Sequence, residues 1–337
     1  MLGALFIALI ILFVRGCLLA RAGGSTGVPP DDALPPEISF GKPIAVYNTL
    51  SGKLERMPLE EYIIGVVAAE MPASFELEAL KAQAVAARTF ALRRAGGFGG
   101  SSCAHSGADV CTDSACCQSY RSAAQLKEKW GADAQYYYER VSEAVLTTAG
   151  MAIMYNGEPI EALYHSTAGG TTEDSANVFA SARPYLVSVT SPGEENAAHY
   201  KDRVSFTRTR LAELLNGAFK KAKVSAKKLE TQIQVLSRFD SGRVEYVKVG
   251  SVNVTGREFR KALDLKSANF SLTVTNDAVI IDTIGYGHGV GMSQYGANAM
   301  AKNGADYVEI LMHYYTGADV VNMDIQIRGA ARSAPHS

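Results

Sequence analysis

The stretch Glu76–Ala95, ELEALKAQAVAARTFALRRA, constrains this 337-residue chain more than any other. Ala, Leu, Lys, Arg and Gln lose little on entering a helix. Leu77, Leu80, Ala84, Ala87 and Ala91 also recur at helical spacing. The spacing predicts a helix over 76–95, ended by Gly96-Gly97-Phe98-Gly99-Gly100. Just upstream, Leu59–Glu70 predicts a helix that stops near Met71-Pro72, because the residue before a proline is pushed out of helical geometry. A chain of this length buries a substantial core, enough for two domains or one large bilobed one.

The other elements are shorter. Ile38–Tyr47 and Lys53–Met57 flank Ser51-Gly52 as a hairpin, and Ala152–Tyr155 and Glu161–His165 read as paired strands around the Asn156-Gly157 turn. Helices are expected over Ala123–Lys129, Gln135–Thr148, Arg208–Lys221 and Gln294–Asn303, and a Thr255/Glu258 capping box opens another at Arg257–Leu263. Val247–Val249, Phe270–Val274 and Val279–Ile284 alternate as strands. Helices and strands mix without a regular strand–helix–strand repeat. The class is therefore α+β, with short antiparallel strands in one large bilobed domain that holds a substrate groove.

At the N-terminus, Leu2–Val14 is apolar and Arg15 and Arg21 follow, so residues 1–22 form a cleaved signal or a membrane anchor. The stretch 23–37 is a Gly- and Pro-rich linker, 38–322 the main folded domain and 323–337 a tail. The domain is expected outside the cytoplasmic membrane. The 33 basic and 34 acidic residues nearly cancel and form no basic stripe, which excludes nucleic acid as a partner. No Gly-rich phosphate loop joins a strand to a helix, so a nucleotide enzyme is excluded too.

Three motifs carry chemistry. In the first, Glu70 ends an apolar run beside Ala68, Ala69 and Met71. It is either a solvated helix-end residue or a carboxyl whose pKa those neighbours raise, as a general acid requires. In the second, Tyr164-His165-Ser166-Thr167 runs into Gly169-Gly170. This is a ligand-binding turn or one whose hydroxyls cap local backbone, and His165 and Ser166 point to opposite faces of a strand and so form no dyad. In the third, four glycines fall within Gly285–Gly291, and His288, Gln294 and Tyr295 line a groove unless the glycines serve only close packing. The clusters Tyr136-Tyr137-Tyr138 and Tyr314-Tyr315 either stack on sugar rings or pack half-buried.

His105, Cys111, Cys116 and Cys117 lie in CAHSGADVCTDSACCQ. One imidazole and three thiolates suit tetrahedral zinc in a structural role, with no cofactor for catalysis. The alternative is one or two disulfides, with Cys103 as a further partner.

The three motifs, in this order from about Pro43 to Val320, resemble the family of stage II sporulation protein D and the amidase enhancers. The resemblance implies a membrane-anchored enzyme that cleaves peptide-free peptidoglycan glycan strands during engulfment, together with sporulation proteins M and P. It implies Glu70 as the catalytic acid/base of a lytic transglycosylase, with Gln83 and Arg88 as groove residues. Glycosidases ordinarily need two carboxyl groups, and Glu173 or Asp174 would be the second. A transglycosylase instead recruits the C6 hydroxyl of the muramic residue. The rival reading is a non-catalytic binding module that enhances a separate amidase.

Overall fold

The structure is a computed structural model that describes residues 43–95, 103–179 and 181–323. The segments expected at 1–22 and 23–37, the Gly run at 96–100 and the tail beyond Met323 lie outside the described residues. Among the described residues no helix is long and apolar enough to cross a membrane.

Helix α1 (Leu59–Glu70) and helix α2 (Leu77–Ala95) form where their composition predicts. Sequence spacing gave α2 one apolar stripe, yet Ala79, Leu80 and every residue from Ala82 to Ala91 are buried. The small Ala side chain explains the difference, since it lets neighbours approach from all sides. Helices α1 and α4 (Ala134–Thr147) pack against α2, as does the strand Met151–Tyr155, and α3 (Ala123–Trp130) packs on α4. This first core holds Val66, Val67, Leu80, Val145 and Ile153.

A second core lies under two three-stranded antiparallel sheets. In one, Phe270–Val274 and Lys201–Thr207 flank Ala278–Ile284; in the other, Val244–Val249 lies between Ile233–Arg238 and Val252–Thr255. Helix α5 (Arg208–Ala218) and helix α6 (Gly256–Ala262) cover them. The Thr255/Glu258 capping box opens α6 as expected. Leu211, Val247, Phe259, Phe270 and Ile281 fill this core. The mixed α+β class follows.

Helix α7 (Gln294–Lys302) and helix α8 (Tyr307–Tyr314) return to α2 and complete the first core. Tyr314 and Tyr315 are fully buried in it, so this tyrosine pair packs and is closed to sugars.

One strand pairing departs from expectation. Asn156-Gly157 does turn a hairpin, but Met151–Tyr155 pairs there with Glu158–Pro159. Tyr164–His165 instead pairs in parallel with Met292–Ser293. The second and third motifs are therefore joined by backbone hydrogen bonds, among them Met292 N–H to Leu163 O.

Candidate active site around Glu70

Glu70 is the last residue of α1 and is half-buried. Ser119 N–H donates to its Oε1 at 2.6 Å. Burial pushes the carboxyl above the usual carboxylate range, and the Ser119 backbone and hydroxyl hydrogen bonds pull it partly back. Buried Ala68 and Met71 supply the apolar surroundings read from the sequence.

Gln118 and Ser119 escaped sequence reasoning. Their signal was position, a polar pair directly after the cysteine loop. Gln118 is buried; its Nε2 donates to Tyr62 Oη and Ala87 O, each at 3.4 Å. Its Oε1 accepts from Tyr164 Oη at 2.8 Å. One amide thus ties both helices to the second motif. Tyr62 and Tyr164 are kept protonated, first by burial and then by the nearby charge of Glu70 among others. Gln83 is buried, and Gln294 Nε2 donates to its Oε1 at 3.4 Å. Its side chain also approaches the Tyr164 hydroxyl, and its Nε2 has no hydrogen-bond acceptor of good geometry among the described residues. Tyr295 is half-buried, packs edge-on against Phe75 at 4.9 Å and donates its N–H to Ser166 O.

Arg88 is a different case from the groove residue expected. Its Nε and Nη2 donate to both Glu60 oxygens at 2.8 and 2.6 Å, and Nη2 also reaches Val145 O. With 1% of Arg88 and 3% of Glu60 exposed, the pair is part of the core and closed to substrate. Thr167 likewise is 1% exposed, and its backbone pairs with Tyr286, so its expected ligand role is replaced by a structural one.

Strand alternation sends His165 away from Tyr164. His165 Nδ1 donates to Val290 O at 3.2 Å, and its ring centroid lies 5.6 Å from that of His288. Val290 N–H donates back to His288 Nδ1 at 3.1 Å, which leaves the His288 proton on Nε2, and His288 bonds the Tyr164 backbone. Burial, then Arg260 and other nearby guanidinium groups, lower His288 to about 4; burial and His288 lower His165 as well. Both imidazoles are neutral at pH 7, clasped between the motifs as a cluster separate from Glu70. Ser166 stays half-buried, its Oγ 3.2 Å from Thr167 Oγ1.

Close packing explains the glycines here. At Gly291, φ is +75° and a Cβ would stand 2.0 Å from Leu163 O; at Gly289, φ is +86° and a Cβ would stand 2.5 Å from the Arg243 guanidinium. Buried Arg243 donates to Thr171 O at 2.9 Å and Ala168 O at 2.7 Å, bracing the second motif from the sheet core.

Both proposed second carboxylates are committed to other partners. Glu173 is buried and accepts from Asp174 N–H, Asn177 Nδ2 and Ser241 Oγ. Asp174 caps a turn by accepting from Ala176 N–H.

In the cysteine loop the structure replaces His105 with Cys103. The His105 ring stacks on Tyr47 at 3.8 Å, while the sulfurs of Cys103, Cys111, Cys116 and Cys117 all lie within 4.8 Å of one another. No disulfide joins these four; Cys116 and Cys117 Sγ are 3.7 Å apart. Tetrahedral zinc with Zn–S bonds of about 2.3 Å separates its sulfurs by roughly 3.8 Å, so the donor set fits a closed, structural zinc. Without a cation, burial pushes Cys117 up and Cys111 to about 11, while the Ala104 backbone hydrogen bond lowers Cys116.

Comparison with known proteins agrees with this arrangement. The family described as "Stage II sporulation protein" matches residues 47–155, which span Glu70, Gln83 and the cysteine loop. Stage II sporulation protein D of Bacillus subtilis (strain 168) is 38% identical over 285 residues, 83% of this chain and 79% of the relative. The protein of the same name from Bacillus amyloliquefaciens is 38% identical over 281 residues, with the same coverage. An amidase enhancer of Bacillus subtilis is 27% identical over 305 residues, but only 40% of its length is covered. With most of both sporulation proteins aligned to this chain, it belongs to the stage II sporulation protein D family.

Proposed function

We propose that this chain is a lytic transglycosylase that cuts the bond between N-acetylmuramic acid and N-acetylglucosamine in peptide-free glycan strands. One observation carries the reading: Glu70 is a single carboxyl whose pKa burial raises, and the other carboxylates considered, Glu173 and Asp174, are committed to hydrogen bonds elsewhere. A hydrolase of the common type needs a second carboxyl to act as nucleophile or to activate water. A transglycosylase does not.

Glu70 donates its proton to the glycosidic oxygen as the C1–O bond breaks. The resulting carboxylate then takes the proton of the muramic C6 hydroxyl as O6 bonds to C1. No water is consumed, and Glu70 ends as it began. The Ser119 N–H steadies the carboxylate in between. Gln83 Nε2, a buried donor without a protein acceptor, suits an acetamido carbonyl of the substrate. The zinc that the four cysteines would hold fixes the loop that ends in Gln118 and Ser119.

In the same reading the N-terminal segment anchors the chain to the membrane with the enzyme on the outer side, and sporulation proteins P and M are its partners. The test is mass spectrometry of peptide-free strands incubated with the purified chain. The wild type yields 1,6-anhydro-muramyl ends, and Glu70→Gln lowers the yield by about 10²–10⁴-fold. Undiminished product from Glu70→Gln removes Glu70 from the mechanism. No product from the wild type leaves the binding-module reading, which the amidase-enhancer relative favours.

A further inference from the structure

The corner between α3 and α4 carries an aromatic cluster that the core absorbs only in part: Trp130 and Tyr137 pack against it, and Tyr136 does not. The Trp130 and Tyr137 ring centroids are 5.7 Å apart, and those of Tyr136 and Tyr137 are 5.4 Å apart, each pair tilted. Trp130 and Tyr137 are half-buried, while Tyr136 is 58% exposed. An exposed ring such as Tyr136 gains little from folding, but together with the open sides of its half-buried neighbours it presents a flat apolar face to a ligand.

The cluster's cations fix where it sits. Lys129, whose Nζ is 5.9 Å from the Trp130 ring, donates to Ala68 O at 3.0 Å. Arg140, whose Cζ is 5.9 Å from the Tyr136 ring, donates to Ala73 O at 3.2 Å and Phe75 O at 2.6 Å. Those carbonyls flank Glu70 in the chain, two residues before it and three and five residues after it. The rings are therefore tied, through these two cations, to the chain that carries Glu70. Pyranose rings of N-acetylated sugars have an axial C–H face that packs on aromatic carbon while the hydroxyls stay in water. An amphipathic surface of Trp and Tyr suits that demand.

We propose that Trp130, Tyr136 and Tyr137 form a sugar-stacking subsite that seats an N-acetylated pyranose of the glycan next to the bond Glu70 protonates. The assignment rests on the reading of Glu70 given above. Trp130 is the only tryptophan in the chain, so its emission reports occupancy directly.

The experiment uses the full chain with Glu70→Gln, to prevent cleavage, titrated with peptide-free glycan strands. The expected result is a saturable change in Trp130 emission whose apparent Kd rises about tenfold on adding Tyr136→Ala, the size of a lost aromatic contact. Tyr246→Ala, which removes a tyrosine that is 45% exposed on the sheet core, leaves the Kd unchanged. Sedimentation with the strands measures binding independently. Strands that sediment with the chain without altering Trp130 emission overturn the subsite, as does Tyr136→Ala binding as tightly as Tyr246→Ala, or no binding by either measure. Because the readout does not involve turnover, a wild type that makes no 1,6-anhydro ends yet shows the Tyr136-dependent emission change defeats the catalytic reading and leaves the subsite in place.

Discussion

The two cores bury different kinds of residue. Around α1 and α2, Glu60, Gln83, Arg88, Thr89 and Gln118 are enclosed together with the apolar side chains. Beneath the sheets the enclosed residues are Val247, Phe259, Phe270, Ile281 and their like. The buried charge contributed by the sheet region, Arg243, turns away from that core to the carbonyls of Ala168 and Thr171. Burying a polar group costs free energy unless it is paired. A chain that accumulates such groups in one core is using them to hold geometry. The helical core is where side chains are aimed; the sheet core is an apolar foundation that braces the motif loops through Arg243.

The sharpest way to break this contrast is to damage each core and attempt a rescue. Arg88→Met strands the Glu60 carboxylate in the helical core and is expected to cost about 3–5 kcal/mol. Adding Glu60→Met removes the stranded charge and restores most of the loss. Phe259→Ala in the sheet core costs a similar 3–5 kcal/mol by opening a cavity, and has no partner whose removal helps. Denaturant titration of the four proteins decides the matter. A double variant as unstable as Arg88→Met alone shows that the ion pair does not explain the burial.

Next in size is the effect of zinc. Chelation, or Cys116→Ser, is expected to lower the thermal midpoint and the yield of 1,6-anhydro ends together, because the loop leads directly into Gln118 and Ser119. One zinc per chain by elemental analysis accompanies the intact protein. If the metal-free protein retains full yield, the loop is uncoupled from Glu70.

The smallest expected effect concerns pH. The Ser119 hydroxyl lowers the Glu70 pKa, so Ser119→Ala raises it. The acid works in its protonated form, which disappears as pH rises through that pKa. The alkaline limb of kcat/KM therefore moves to higher pH, by about half a unit, in Ser119→Ala. A limb that moves down contradicts the assignment of Glu70 as the acid.

Much of this arrangement was legible along the chain. Neighbouring residues decide helix propensity, so α1 and α2 and the Thr255/Glu258 cap emerged close to where they fold. The apolar run before Glu70 left a solvated helix end and a buried carboxyl both open, and the structure half-buries it. Partner choice was not legible, because it is made by residues far apart in sequence. The turn at Asn156-Gly157 was readable, but not that it releases Tyr164–His165 to pair with Met292–Ser293. Arg88 looked like a groove residue until Glu60, one helix earlier, claimed both arms of its guanidinium. His105 matched the composition of a zinc loop, but its ring stacks on Tyr47, and the fourth group clustered with Cys111, Cys116 and Cys117 is Cys103.

The parallel pairing of Tyr164–His165 with Met292–Ser293 also bears on when the protein becomes active. Contacts between segments so distant in sequence form late, after loop closure has been overcome. A nascent or clipped chain that ends before Met292 carries the Glu70 acid but lacks the Gln294 prop beneath Gln83 and the clasp that seats Tyr164. The surroundings of Glu70 are therefore complete only once the chain through Gln294 has folded, which places the last step of building the site at the far end of the polypeptide.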